Sequence, residues 1–143
     1  MPAVAAWLGG LGALPFVALA LLMAVGPAGF ATSAAPALVA YGAVILSFLG
    51  GIQWGLAVAV PRAGAALRPA RLVVSVLPSL VGWIALLLPT PAAAMVVLAV
   101  AFLAVLVVDT RAWQRGETPP WYPRLRWPLT LVVGACLLLA AGA

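Results

Sequence analysis

The chain has 143 residues, of which 67% are hydrophobic and 6% are charged, and its formal net charge is +5. Soluble globular domains average roughly 45–50% apolar and about 25% charged residues, so this composition excludes a water-soluble fold. All seven basic residues are arginines, and the acids are Asp109 and Glu117. No basic stripe on a polar surface is available for nucleic acid, so nucleic acid is not an expected partner.

Five apolar segments reach or approach the roughly 17–25 residues that a membrane-spanning helix needs. The predicted spans cover residues 4–25, 36–60, 72–88, 92–108 and 127–142. Pro89-Thr90-Pro91 separates the third and fourth spans by a few residues, which predicts an antiparallel helical hairpin. The sequence therefore predicts an all-α, polytopic membrane helix bundle with five transmembrane helices in a single domain, residues 1–143.

Prolines occur in the middle of the first and third predicted spans, at Pro15 and Pro78. A proline inside a helix removes one hydrogen bond and frees the carbonyl four residues earlier. The two positions are either hinges with a carbonyl that faces a ligand, or static kinks that fit the bundle.

The second span carries a continuous face of small residues. These recur every four positions, which places them on nearly one side of an α-helix: Ala43, Ser47, Gly51, Gly55 and Ala59. Small residues let a neighbouring backbone approach closely, and in lipid this is a main source of helix association. The pattern predicts a helix-packing face, either within one bundle or between copies.

The candidates for a polar or ligand-binding site are few. They comprise one amide, three aromatic residues and two serines: Gln53, Trp54, Tyr41, Trp83, Ser75 and Ser79. An unpaired amide in hydrocarbon costs several kcal/mol, so Gln53 is expected to face the bundle interior or the nearby helix end. It either links helices or recognises a ligand, and the aromatic residues are either packing and interface residues or a stacking surface.

The arginines lie in only two of the four connections between spans. The connection between spans two and three holds Arg62, Arg68 and Arg71, and the one between spans four and five holds Arg111, Arg115, Arg124 and Arg126. The positive-inside rule places both connections in the cytoplasm. We therefore expect a cytoplasmic N-terminus and an external C-terminus.

The connection that follows the fourth span alternates arginines with aromatic residues. The segment is predicted to lie on the cytoplasmic face and to meet anionic lipids through these residues: Asp109, Arg111, Trp113, Arg115, Trp121, Tyr122, Arg124 and Arg126. The same segment is also suited to docking a protein partner, and the sequence does not separate the two interpretations.

Catalysis is not expected from these residues. The chain has no histidine and no lysine, a single cysteine, and no buried carboxylate is expected in the spans. A metal site would lack ligands, a serine nucleophile would lack a base, and no glycine-rich phosphate cradle is present. The sequence therefore predicts no enzyme activity, no metal and no cofactor.

Several short elements together resemble one known family. They are Leu14-Pro15-Phe16, the segment Tyr41 to Gly55 with Phe48-Leu49-Gly50-Gly51 and Trp54-Gly55, Leu77-Pro78-Ser79 with Trp83, and Asp109 followed by Pro120-Trp121-Tyr122 and Leu125-Arg126. The chain resembles the transmembrane protein sixty-nine family, whose bacterial members are described as a domain of unknown function. The resemblance implies a multi-pass α-helical protein of the bacterial inner membrane, or of the mitochondrial inner membrane in eukaryotic relatives, and it supplies no activity or cofactor.

Two functions are compatible with these features. The first is an accessory, assembly or stabilising component of a larger membrane complex, with other membrane subunits and the lipid bilayer as partners. The second is a binder or carrier of a small lipophilic ligand such as a quinone, a porphyrin or a lipid.

Overall fold

The computed structural model of the protein describes residues 1–59 and 69–143. These residues form five α-helices and no strand. In chain order the helices are α1 (Ala3–Val25), α2 (Ala28–Val58), α3 (Pro69–Leu87), α4 (Pro91–Gln114) and α5 (Tyr122–Ala141). Arg62 and Arg68, which contribute to the topology prediction, lie outside the described residues, as does the end of the predicted span 36–60.

All five described helices are long and apolar enough to cross a membrane. The shortest, α3, has 19 residues, which at about 1.5 Å of rise per residue matches a hydrocarbon core of roughly 30 Å. The prediction of an all-α membrane helix bundle is therefore confirmed. Which end of the bundle faces the cytoplasm stays a prediction.

Three helices extend by five or more residues beyond the predicted spans. α2 begins directly after Pro27 and runs through Pro36, α4 continues past Val108 to Gln114, and α5 begins at Tyr122. Pro123 lies in the first turn of α5, where its missing N–H removes no helical hydrogen bond. Segments that the sequence assigned to connections are thus helical, and their polar side chains belong to the bundle.

The two helices in the middle of the bundle are α2 and α4. α2 contacts α1, α3 and α4, and α4 contacts α3 and α5 as well. The core between them is closed by fully buried side chains: Phe16, Leu38, Leu46, Leu98, Phe102 and Leu137. Helices α1, α3 and α5 begin at one end of this bundle, and α2 and α4 end there. We call it the arginine end.

Glycines bring α2 and α3 unusually close together. A Cβ atom placed on Gly50 would lie 2.5 Å from the carbonyl oxygen of Ser75 and 3.3 Å from the Pro78 ring. A Cβ on Gly82 would lie 3.0 Å from the carbonyl oxygen of Ala43. Only hydrogen at Gly50 allows this approach, and the ring of Pro78 fills the space beside it.

The predicted small-residue face of α2 is divided between two environments. Ala43 is buried against α3, and Ser47 is half-buried with its hydroxyl bonded to the Ala43 carbonyl at 2.8 Å. Gly51, Gly55 and Ala59 are exposed among the described residues. A packing role for that exposed part stays a prediction.

Both predicted proline positions lie inside continuous helices. α1 runs through Pro15 and α3 runs through Pro78, which is itself buried. One turn before Pro15, the Tyr41 hydroxyl donates to the Gly12 carbonyl at 2.9 Å. α2 thereby supplies a hydrogen bond beside the part of α1 where the helical ladder is interrupted.

Candidate functional site

A buried carboxylate lies at the arginine end. Asp109, near the end of α4, is 2% exposed. Its Oδ2 accepts a hydrogen bond from Arg126 Nε at 2.6 Å and one from the Tyr122 hydroxyl at 3.4 Å. Its Oδ1 accepts a hydrogen bond from Gln53 Nε2 at 2.6 Å. Asp109 and Arg126 form a direct ion pair, so neither charge is left uncompensated in the protein interior.

A second ion pair extends these contacts to α3. Arg71 Nε donates to Gln53 Oε1 at 3.3 Å, and Arg71 Nη2 donates to Glu117 Oε2. Gln53 thus bonds one partner through its amide nitrogen and another through its amide oxygen. The resulting polar cluster connects α2, α3, α4 and α5, and it consists of Gln53, Arg71, Asp109, Glu117, Tyr122 and Arg126.

The position of Glu117 depends on how α4 ends. Gly116 has a φ of 72°, its N–H donates to the Trp113 carbonyl at 2.8 Å, and the N–H of Glu117 donates to the Ala112 carbonyl at 3.0 Å. These two bonds and the left-handed glycine form a Schellman motif. The motif reverses the chain immediately after α4 and brings the Glu117 carboxylate to Arg71.

A groove lies between α3 and α4. Its outer part, at the arginine end, has a volume of about 330 Å³. Three arginines line that part, Arg71 from α3 and Arg111 and Arg115 from α4. Arg111 and Arg115 are exposed, and neither forms an ion pair with a residue that the structure describes. Their positive charge is therefore available in the groove.

The inner part of the same groove is apolar. It has a volume of about 230 Å³, and Leu77, Pro78 and Ala104 are among its lining residues. Gln53, Val74 and Val108 line both parts, so the two parts adjoin along the same pair of helices. One α3–α4 groove therefore offers arginines at its outer end and an apolar wall farther into the bundle.

A separate cavity of about 330 Å³ lies between α1, α2 and α5, with Phe102 of α4 behind it. We call it the α1 cavity. Gly9 and Gly12 contribute no side chains to it, and Arg126 and Thr130 of α5 line its otherwise apolar wall. Arg126 therefore belongs both to the polar cluster and to the wall of this cavity.

Comparison with known proteins places the chain in a family. The model of a family described as "Protein of unknown function (DUF3429)" matches residues 1–142. The chain belongs to the DUF3429 family. It is also 38% identical over 133 residues to "Transmembrane protein 69" of Xenopus tropicalis, with 92% of this chain aligned. The alignment covers 51% of that relative, so the chain spans about half of its length. No solved structure matches this chain. The predicted family resemblance is confirmed.

In this DUF3429 chain the predicted ligand residues do not form one site. Gln53 is buried in the polar cluster, whereas Tyr41 lies twelve positions earlier on α2, about 18 Å away by helical rise. Trp54 and Trp83 are 47% and 61% exposed on the outside of the described bundle. The serines form local bonds, Ser75 with the Leu72 carbonyl and Ser79 with the Val76 carbonyl.

The predicted interface residues separate into two groups. Arg111, Trp113, Arg115 and Arg124 are exposed, and Trp121 is half-buried against the Tyr122 ring. Asp109, Tyr122 and Arg126 are instead buried in the polar cluster. The expectation that the spans hold no buried carboxylate is thereby corrected, because α4 extends beyond Val108 and carries Asp109 into the bundle.

Sequence reasoning did not single out Thr130 as a site residue or foresee that Arg71 joins a buried cluster. A signal for part of the site was present, since Tyr122, Arg126 and Thr130 recur every four residues, as expected for one face of a helix. The predicted start of the fifth span at residue 127 divided this series between a loop and a helix.

Proposed function

We propose that the protein is a non-catalytic membrane protein that binds an amphiphilic anion with a phosphate headgroup in the α3–α4 groove. The observation that carries this proposal is that the arginine-lined part of the groove adjoins its apolar inner part. A phospholipid has the same arrangement, with a charged phosphate joined to apolar chains. Basic pockets between transmembrane helices bind such headgroups.

The charges favour an anion over a neutral ligand. Arg71 is paired with Glu117, so the net positive charge in the groove comes from Arg111 and Arg115. These residues are one helical turn apart on α4, a spacing at which two guanidinium groups can contact one phosphate. The apolar inner part then binds the hydrocarbon chains of the ligand, whose burial away from water is favourable.

The same proposal includes a location and an orientation. Five apolar helices and the relative named as a transmembrane protein support a multi-pass membrane protein. We place it in the bacterial inner membrane with the arginine end in the cytoplasm, because the described arginines are concentrated there. The groove would then open at the leaflet where anionic lipids are recognised by basic residues.

The test compares arginines inside and outside the groove. The double variant Arg111→Ala/Arg115→Ala removes the net charge, and Arg124→Ala removes an exposed arginine of α5 that does not line the groove. Each arginine near an anionic surface contributes about 1 kcal/mol, so the double variant is expected to bind phosphatidylglycerol roughly thirtyfold more weakly. Native mass spectrometry of the purified protein, titrated with phosphatidylglycerol or phosphatidylcholine, measures this.

Ala104→Phe provides an independent test of the apolar part of the groove. Ala104 is exposed and lines the inner part, so a phenyl ring there occupies the space that a lipid chain would use. Ala92→Phe places the same ring on an exposed position of α4 at its other end. Equal phosphatidylglycerol binding by all four variants would overturn the proposal.

A role as an accessory component of a larger complex is a second candidate. It is favoured by Gly51 and Gly55, which are one turn apart on α2 and meet no described atom within 4 Å of an added Cβ. Such a surface accepts a partner helix at close range. Replacing both with leucine is expected to release any stoichiometric membrane partner in native gels, and an unchanged complex would exclude this use of the surface.

A further inference from the structure

We infer that the α1 cavity is a second ligand site, for a neutral lipophilic molecule with a carbonyl oxygen. It is distinct from the α3–α4 groove and does not depend on the function proposed for that groove. The inference rests on two buried polar atoms in residues of its wall, the charge state of that wall, and its access from the surrounding bilayer.

Two buried polar atoms of α5 have no partner in the described part of the protein. They are Arg126 Nη2 and Thr130 Oγ1. Thr130 is 1% exposed and Arg126 is 7% exposed, so bulk water does not satisfy either. Buried polar atoms without a hydrogen bond are uncommon in folded proteins and costly. Both residues line the α1 cavity, so a ligand held there would lie beside these two side chains.

The two atoms can share one acceptor. Arg126 and Thr130 are four residues apart on α5, so their side chains lie on the same face of the helix. A guanidinium nitrogen only donates, and a threonine hydroxyl donates or accepts. A carbonyl oxygen has two lone pairs and therefore accepts from both.

The charges in the wall favour a neutral acceptor. Arg126 already has its counterion, because its Nε donates to the buried Asp109 carboxylate at 2.6 Å. A ligand carboxylate or phosphate in the α1 cavity would bring an additional negative charge into an apolar space, at a high desolvation cost. The α1 cavity thus differs in ligand class from the α3–α4 groove, whose two exposed arginines have no described counterion.

The rest of the α1 cavity suits an apolar body that enters from lipid. Leu8 and Phe48 line it and are 64% and 66% exposed, so it reaches the outside of the described bundle. Deeper in, the rings of Phe16 and Phe102 meet edge to face, with centroids 5.9 Å apart. Its volume of about 330 Å³ is at the lower end of the roughly 300–1,000 Å³ typical of small-molecule sites.

Two chemical sources can supply such a carbonyl, a quinone ring or the ester of a lipid. The probes are a benzoquinone with a decyl tail for the first and methyl palmitate for the second. Decylbenzene, which has a ring and a tail but no carbonyl, is the comparison ligand. Affinities are measured by native mass spectrometry of the purified 143-residue protein in detergent.

Thr130→Val tests the recognition of the carbonyl. Valine keeps the shape of threonine and removes the hydroxyl, so the carbonyl probe that binds is expected to lose roughly two- to tenfold in affinity, in line with one hydrogen bond. Decylbenzene is expected to be unaffected. Loss with the quinone alone identifies a quinone site, and loss with methyl palmitate alone identifies an ester site; both outcomes support the inference.

Gly12→Leu tests the location. An added Cβ at Gly12 meets no described atom within 4 Å, and the residue lines the α1 cavity, so leucine is expected to fill it and abolish binding. Gly10→Leu is the matched control, since Gly10 is equally open and lies outside this lining. The variant Arg111→Ala/Arg115→Ala should also leave binding unchanged, which separates this site from the α3–α4 groove.

Two results would overturn the inference. The first is the absence of saturable binding of either carbonyl probe to the wild-type protein. The second is equal affinity of the carbonyl probes for the wild-type protein, Thr130→Val and Gly12→Leu, which would place the bound molecules elsewhere on the apolar surface.

Discussion

The adjacent glycines of α2 allow a direct test of the contact between α2 and α3. We expect Gly50→Ala to destabilise the bundle and Gly51→Ala to leave its stability unchanged or slightly increased. The two variants make the same chemical change at neighbouring positions of one helix. Replacing glycine with alanine raises the intrinsic helix propensity by up to about 1 kcal/mol. This gain is the same in both variants and therefore cancels in the comparison.

The magnitude follows from the distances. An added methyl group at Gly50 would lie 2.5 Å from the Ser75 carbonyl oxygen, whereas carbon and oxygen atoms in close contact are about 3.3–3.6 Å apart. The helices would have to separate by about 1 Å, which weakens the packing on either side. Overpacking of this kind typically costs about 1–3 kcal/mol. At Gly51 no described atom lies within 4 Å, so this cost is absent.

The measurement is the free energy of unfolding in mixed micelles, from titration with sodium dodecyl sulfate followed by circular dichroism. Gly50→Ala is expected to unfold at a lower detergent fraction than Gly51→Ala, with a difference of about 1–3 kcal/mol. Gly82→Ala, whose added Cβ would lie 3.0 Å from the Ala43 carbonyl oxygen, is expected to be intermediate. Equal stability of all three variants would refute the close approach of α2 and α3.

Three further predictions use the arginine end. Asp109→Ala and Arg126→Ala each leave a buried charge without its partner, so each is expected to lower the free energy of unfolding by about 3–5 kcal/mol, and the double variant by less than their sum. Strict additivity in the same titration would contradict the ion pair. Gly116→Ala is expected to lower the free energy of unfolding by about 1 kcal/mol, and Gly116→Asn by less, because asparagine tolerates the left-handed conformation better. Equal losses for the two variants would contradict the Schellman motif at the end of α4. For the topology, Gln114→Cys in a Cys136→Ala background is expected to react with a membrane-impermeant maleimide in inside-out vesicles and not in intact cells. The reverse labelling would invert the proposed orientation.

The number and nature of the helices could be predicted from the sequence because both depend on composition along the chain. Segments of about 20 apolar residues form helices in lipid, where every backbone hydrogen bond has to be made internally. The ends of α4 and α5 could not be predicted in the same way. Asp109, Tyr122 and Arg126 interrupt the apolar pattern, so hydropathy assigns them to a loop although they are helical and buried.

The face that α2 presents to α3 was ambiguous for a different reason. Gly50 and Gly51 are consecutive, and consecutive residues point about 100° apart on a helix. The small residues in register with Gly51 formed the longer series in the sequence. In the structure α3 packs against Gly50, where the Pro78 ring fits beside it, and of the Gly51 series Ala43 also contacts α3, at Gly82. Only the partner helix decides between two such faces.

The location of the buried ion pair on consecutive helices affects how the chain enters the membrane during synthesis. Asp109 on α4 and Arg126 on α5 each cost about 2.5–3.5 kcal/mol at the centre of a bilayer when they enter alone, and less near its surface. The helices that carry them are joined by residues 115–121 only. We therefore expect α4 to leave the translocon together with α5, as a hairpin whose two charges are already paired.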